Sequence, residues 1–149
     1  ARVDREACLV LAFGRGAVLL PRIAAAAAAD SLPVLGLVAL SGVTARAGGP
    51  QVPGAAWWNA YAAVDPAEGW REVALPVLLL HGGRDTVVPP DGATALRDSL
   101  KGRGVTVSCS VARTLDHTLG KTGADGTWHC SPGLVRQVEA FLRGARRLR

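Results

Sequence analysis

Short unbroken apolar runs, each closed by glycine, proline or a charged cluster, set the pattern of this chain. Ala7–Phe13, Val34–Leu40 and the run opening at Leu75 read as buried strands, and Val105–Val111 as a fourth. Between them the spacing turns helical. Gly16-Ala17-Val18-Leu19-Leu20 opens a helix that runs to Ala29, and its alanine run lets it sit close to a sheet. Asp91 is placed to cap a helix reaching Leu100, with Ala93, Leu96 and Leu100 on its apolar face and an end near Gly102 and Gly104. Ser131-Pro132 repeats a helix start, Ser at the N-cap and Pro at the first helical position. Leu134, Val135, Val138, Phe141 and Leu142 then keep helical spacing, and Gly144 is expected to stop the helix.

The segments between these elements are less regular. Ser41-Gly42 closes the second strand, and Thr44–Gly54, rich in Gly and Pro, reads as a surface loop. Ala55–Ala63 reads as a short aromatic helix, so residues 43–70 form an insertion of loop and aromatic helix, with Trp70 in the same layer. Gly120–Cys130 is polar and Gly-rich, hence a loop, and it lies beside His117 in sequence. Strand-helix-strand-loop-strand-helix-strand-helix implies one α/β domain over residues 1–149: a parallel sheet with flanking helices and right-handed crossovers.

Chemistry enters at the first strand-to-helix turn. Strand, tight turn and helix around Ala12-Phe13-Gly14-Arg15-Gly16 form the setting of a nucleophile elbow. The residues two before and two after the central position must be small so that strand and helix can approach, and Ala12 and Gly16 are. The central position ordinarily carries Ser or Cys, whose oxygen or sulfur attacks a carbonyl. Gly14 suits a strained backbone and has no atom with which to attack. A carboxylate follows at Asp85, in the loop after the third strand, and Leu115-Asp116-His117 follows the fourth. Nucleophile position, acid, histidine is the order used by α/β-hydrolases.

On these residues, and above all on Pro-Val-Leu-Leu-Leu-His-Gly-Gly-Arg-Asp-Thr-Val-Val-Pro at 76–89, the chain from about Ala7 to Leu142 resembles the carboxyl-terminal part of an α/β-hydrolase. It is most similar to the small carboxylesterase, phospholipase and acyl-protein thioesterase group, with dienelactone-hydrolase relatives almost as near. The resemblance implies a partial α/β-hydrolase fold whose amino-terminal strands are missing. Matched position by position, Gly14 holds the lost nucleophile position, Asp85 the acid that orients the imidazole, and His117 the general base. Arg15 holds the place whose backbone N–H donates to an oxyanion, a role that survives side-chain substitution. By the same resemblance the second oxyanion donor would come from an earlier loop, expected to be among the missing amino-terminal elements. Asp85 also has a bland structural alternative, since an aspartate after a strand often caps a turn.

An elbow strand at the start of the chain leaves an unpaired sheet edge, which proteins normally cover. Other protein subunits, or the missing half, are therefore expected against it. The chain contains no Met, so it is expected to be processed, truncated or part of a longer polypeptide. Trp57, Trp58 and Tyr61 are candidate pocket residues for an acyl group, and they serve equally to pack the aromatic helix onto the body or a partner.

Length and composition narrow the class. With 149 residues and 49% hydrophobic content, the chain suits one domain; folded compactly, it would bury roughly 70% of its unfolded surface. No apolar run approaches the ~18 to 20 residues that span a bilayer, and the first six residues do not read as a secretion signal. Three cysteines in irregular positions argue against a disulfide framework, Cys109 to Cys130 included. His117, His129 and Cys130 lack paired ligand spacing, so neither metal nor cofactor is expected. The net charge is +5, and Arg136–Arg149 holds five arginines against Glu139 alone, ending in a basic tail at 143–149. Arginines there complement a helix dipole, or they touch RNA, anionic lipid or an acidic protein surface.

These features favour a catalytically degenerate α/β-hydrolase-like protein, a structural or binding subunit of a larger intracellular or organellar assembly. The alternative is an active carboxylic ester or thioester hydrolase, of esterase, lysophospholipase or acyl-protein thioesterase type, whose nucleophile comes from elsewhere. Ser31 and Ser41 are its candidates, although neither occupies an elbow.

Overall fold

A computed structural model describes residues 8–42, 64–122 and 124–147. Strand β1 (Cys8–Phe13) turns through a 3-10 segment, Gly14–Leu19, into helix α1 (Leu20–Ala29) and then strand β2 (Val34–Leu40). Helix α2 (Pro66–Trp70), strand β3 (Val77–Gly82), helix α3 (Asp91–Gly102) and strand β4 (Val107–Ala112) follow. Two short strands, β5 (Gly120–Thr122) and β6 (Trp128–Cys130), precede helix α4 (Pro132–Arg146).

Strands β1 to β4 form one parallel sheet in the order β1-β2-β3-β4. Parallel strands bury both faces, which is why β2 and β3 are apolar along nearly their whole length. On one face Leu37, Ala39, Val77 and Leu79 pack against Ala17, Leu20, Ala24 and Ala27 of the first helical segment, Trp70 of α2, and Leu96 and Leu100 of α3. On the other, Val38, Leu78 and Leu80 meet Leu115, Leu119, and Leu134 and Phe141 of α4. Gly36 makes the second contact possible, because a Cβ there would stand 2.9 Å from both Phe141 Cζ and the Pro76 carbonyl oxygen.

Several boundaries differ from the sequence expectations. The helix expected from Gly16 begins as a 3-10 turn and becomes α-helical only at Leu20, with Pro21 in its first turn. Pro90, not Asp91, is the N-cap of α3, and Ala93, Leu96 and Leu100 are its buried face as expected. Helix α4 runs through Gly144: a Cβ there would meet nothing among the described residues, its φ is not positive, and the next residue, Ala145, is buried. The expected loop at 120–130 is an antiparallel hairpin. Asp125 Oδ1 accepts from the Thr127 amide at 3.0 Å and Gly126 takes φ +79°, so the Asp-Gly pair makes the turn.

Among the described residues β1 pairs only with β2, and Leu11 and Phe13 on it are nearly half exposed. No described helix is long and apolar enough to cross a membrane. Arg143 and Arg146 occupy the last turn of α4. The aromatic helix expected at Ala55–Ala63, and with it Trp57, Trp58 and Tyr61, lies outside the described residues.

Candidate active site

Parallel strands bring their carboxyl ends to one edge of the sheet, and three of the expected residues meet there. Gly14 leaves β1 at φ +55°, in the left-handed region that L side chains rarely enter. An ideal Cβ built on it would point at His117, 3.6 Å from Nε2 and 3.8 Å from Cε1, with no other atom of the described residues beyond its neighbours within 4 Å. A side chain at this position would therefore end against the imidazole. A Cβ on Gly16 would make an ordinary contact with that of Ala12, 3.5 Å away, so the turn needs a small residue there and not glycine itself.

The loop from Gly82 delivers the carboxylate. A Cβ on Gly82 would run into the backbone carbonyls of Asp116 and Leu115, so glycine lets the segment carrying His117 cross the end of β3. Arg84 N–H donates to the Leu115 carbonyl at 2.9 Å, tying the two loops together. As a result His117 Nδ1 lies 2.8 Å from Asp85 Oδ2. The other carboxylate oxygen, Oδ1, accepts from the amides of Val87 at 2.9 Å and Val88 at 2.7 Å.

Burial of Asp85 works to raise its pKa, but the Val88 amide, His117 and the Val87 amide outweigh it and hold the carboxyl below its ordinary value. Asp85 is thus anionic near neutrality and accepts only. His117 must then carry its proton on Nδ1, which leaves the Nε2 lone pair facing Gly14. This is the tautomer a general base requires. Phe13 packs against the ring, centroids 5.0 Å apart and planes 59° apart.

The segment bearing His117 is braced from outside. Thr118 donates to Asp116 Oδ1 from both its amide, at 2.9 Å, and its hydroxyl, at 2.6 Å. Those bonds lower the Asp116 pKa, the hydroxyl foremost. Trp128 Nε1 on the hairpin donates in turn to Thr118 Oγ1 at 2.8 Å. Its indole lies so close to Gly120 that a Cβ there would collide with the ring.

The expected residues divide accordingly. Gly14, Asp85 and His117 come together, and Arg15 follows Gly14 with its side chain exposed. Ser31 sits in the exposed turn before β2, at the opposite end of the parallel sheet from Gly14. Ser41 is at the right end, since Phe13 pairs with Leu40 and places it beside Gly14. Yet it is fully buried at φ +44°, and its hydroxyl has no hydrogen-bond partner among the described residues. Ser31 is too far from His117 and Ser41 too buried to present a nucleophile at this site. Sequence reasoning gave no role to His81, whose buried Nε2 lies 3.1 Å from Asp85 Oδ2 and 2.9 Å from the Val88 carbonyl oxygen. Its place four residues before Asp85, at the end of an apolar strand, was the available signal. Among the described residues no group of His, Cys, Asp or Glu is arranged to hold a metal ion.

A parallel sheet that turns at positive φ into a helix, and brings a carboxylate and an imidazole from the next strand ends to that turn, defines an α/β-hydrolase-type fold. Residues 49–131 match the prolyl oligopeptidase family, and the chain belongs to that family. The superfamily expected from the sequence is the one these findings support.

Solved structures agree on the fold. A puromycin-hydrolyzing peptidase of Mycobacterium tuberculosis is 18% identical, with a TM-score of 0.65 over 97% of this chain and 23% of its own. Acylaminoacyl peptidase of Pyrococcus horikoshii is 19% identical, with a TM-score of 0.57 over 78% of this chain and 21% of its own. The esterase RhEst1 of a Rhodococcus species is 17% identical, with a TM-score of 0.58 over 91% of this chain and 65% of its own. This chain thus spans only about a fifth of the length of either peptidase. No curated protein matches it significantly.

Proposed function

We propose that this chain is a catalytically degenerate hydrolase-like protein that retains the acid and imidazole of a serine hydrolase without its nucleophile, and that it acts as a binding or structural subunit. The single observation behind this reading is the Gly14 geometry: positive φ, and a Cβ direction ending 3.6 Å from His117 Nε2. A backbone set for a nucleophile carries none. The partner is another polypeptide, or another segment of the same one, laid along β1, whose apolar edge is long and uncharged. Arg143 and Arg146 add a basic end to α4 for an anionic partner surface.

The second reading, an active ester, thioester or peptide-type hydrolase whose nucleophile comes from elsewhere, is favoured by His117 Nε2, which faces Gly14 from a partly exposed side chain. Peptide bonds enter because the peptidases above share the fold.

A fluorophosphonate probe separates the two. The parent chain should remain unlabelled, whereas Gly14→Ser should label, and His117→Ala in that background should abolish labelling. Serine at this φ costs about 1–2 kcal/mol, so the variant's folding is checked by circular dichroism. Labelling of the parent chain establishes the second reading. A folded Gly14→Ser protein that does not react counts against a preserved nucleophile site, and the first reading falls.

A further inference from the structure

We infer that His81 is a positioning residue, a second imidazole that holds Asp85 in the one rotamer able to engage His117. The argument begins with tautomers. His81 Nε2 faces the Val88 carbonyl oxygen at 2.9 Å and Asp85 Oδ2 at 3.1 Å. A carbonyl and an ionised carboxylate only accept, so Nε2 must carry the proton and share it between them. The ring is 1% exposed, so no water replaces either acceptor readily.

The carboxylate is then fixed at both ends. Oδ1 is held by the Val87 and Val88 amides and Oδ2 by His81, which leaves the outward side of Oδ2 to His117 at 2.8 Å. His81 also grips the loop, because the residue whose carbonyl it binds is the one whose amide binds Asp85. Val88 is thus tied to Asp85 directly through its amide and indirectly through the imidazole. Without His81 the carboxylate keeps its loop amides but loses its buried donor, and χ2 rotation can take Oδ2 away from His117. A phenylalanine would fill the space without supplying the proton. Glutamine would supply an N–H at similar reach.

The inference rests on the reading of Asp85 and His117 as a retained acid–imidazole pair, and proton and nitrogen NMR of the native Gly14 chain tests the two separately. The His117 Nδ1 proton should be visible and protected from exchange with water. His81 should show the Nε2–H tautomer. His81→Phe should speed exchange of the His117 Nδ1 proton at least ten-fold, while His81→Gln should keep it within about three-fold of the parent. A role in packing alone would move the melting temperature of His81→Phe and leave that exchange rate unchanged, which overturns the inference. An Nδ1–H tautomer at His81 in the parent overturns it too, whether or not either variant folds. A parent chain with no protected His117 Nδ1 proton refutes the retained pair itself, and the inference with it. Failure of Gly14→Ser to label while that proton is protected touches the nucleophile position and leaves His81 as assigned.

Discussion

Replacing Asp85 with alanine should destabilise the fold in a pH-dependent way. The carboxylate accepts from Val87 N–H at 2.9 Å, Val88 N–H at 2.7 Å, His117 Nδ1 at 2.8 Å and His81 Nε2 at 3.1 Å. A hydrogen bond to a charged group contributes about 1.5–3 kcal/mol, but these four do not add. Val87 is 68% exposed, so its amide can turn to water, and the partly exposed His117 can do the same. His81 keeps the Val88 carbonyl. The alanine also escapes the desolvation that burial imposes on the anion. One charged bond's worth, about 3 kcal/mol, is the reasonable net, and at ~2–4 °C per kcal/mol for a chain of this size the midpoint falls by roughly 6–12 °C.

The pH dependence follows from the lowered pKa of Asp85. A carboxyl depressed in the folded state contributes its full stability above its unfolded value, about 3.9. That contribution is lost as pH falls through the lower folded value. The gap between parent and Asp85→Ala should therefore be constant from neutrality down to about pH 5 and close below about pH 4. Thermal melts by circular dichroism across that range measure it. A midpoint within a degree of the parent at neutral pH, or a gap equally wide in acid, would refute the reasoning.

Ser41→Gly should stabilise the protein by about 1 kcal/mol, because it removes both a left-handed L residue and a buried hydroxyl with no partner among the described residues; urea denaturation gives the value, and a lower midpoint would show that the hydroxyl has a partner in solution. His117→Ala should cost no more than about 1 kcal/mol, the net worth of one hydrogen bond, as its ring is partly exposed and rests on Phe13. A loss as large as that of Asp85→Ala in the same denaturation series would contradict this.

Much of the sheet was legible because parallel strands buried on both faces read as plain apolar runs: Val34–Leu40 is β2 residue for residue. Helix α3 was equally open, since Ala93, Leu96 and Leu100 announce its buried face. The hairpin at 120–130 was not, because strands of three residues, β6 exposed throughout, carry no alternation long enough to register. Gly144 misled because a glycine near a helix end marks a stop only when positive φ is needed, and here it is not. The meeting of Gly14, Asp85 and His117 followed from their order along the chain, as strand ends of a parallel sheet share one edge. His81 stayed hidden because its role depends on Val88 returning over the strand end, a loop path that no local pattern encodes.

Asp85 and His117 are tied to the fold to different degrees. Asp85 is anchored by folding alone: two loop amides and the buried His81 donate to it, and removing it leaves the Val88 amide without that acceptor whether or not any chemistry occurs. Its presence is therefore weak support for function. His117 has no such tie. Its Nδ1 bonds only Asp85 among the described groups, its ring leans on a half-exposed phenylalanine, and its Nε2 faces the space above Gly14. Many side chains would suit that position as well if the loop's shape were all that mattered. The loop also has its own bracing, since Trp128 through Thr118 and Asp116 holds it without the imidazole. An imidazole kept where stability scarcely requires it, with its free nitrogen aimed at the glycine, is the part of the site that folding does not explain. It is accordingly His117, rather than Asp85, whose Nε2 would meet a ligand hydroxyl or a supplied nucleophile, and on which the choice between subunit and enzyme turns.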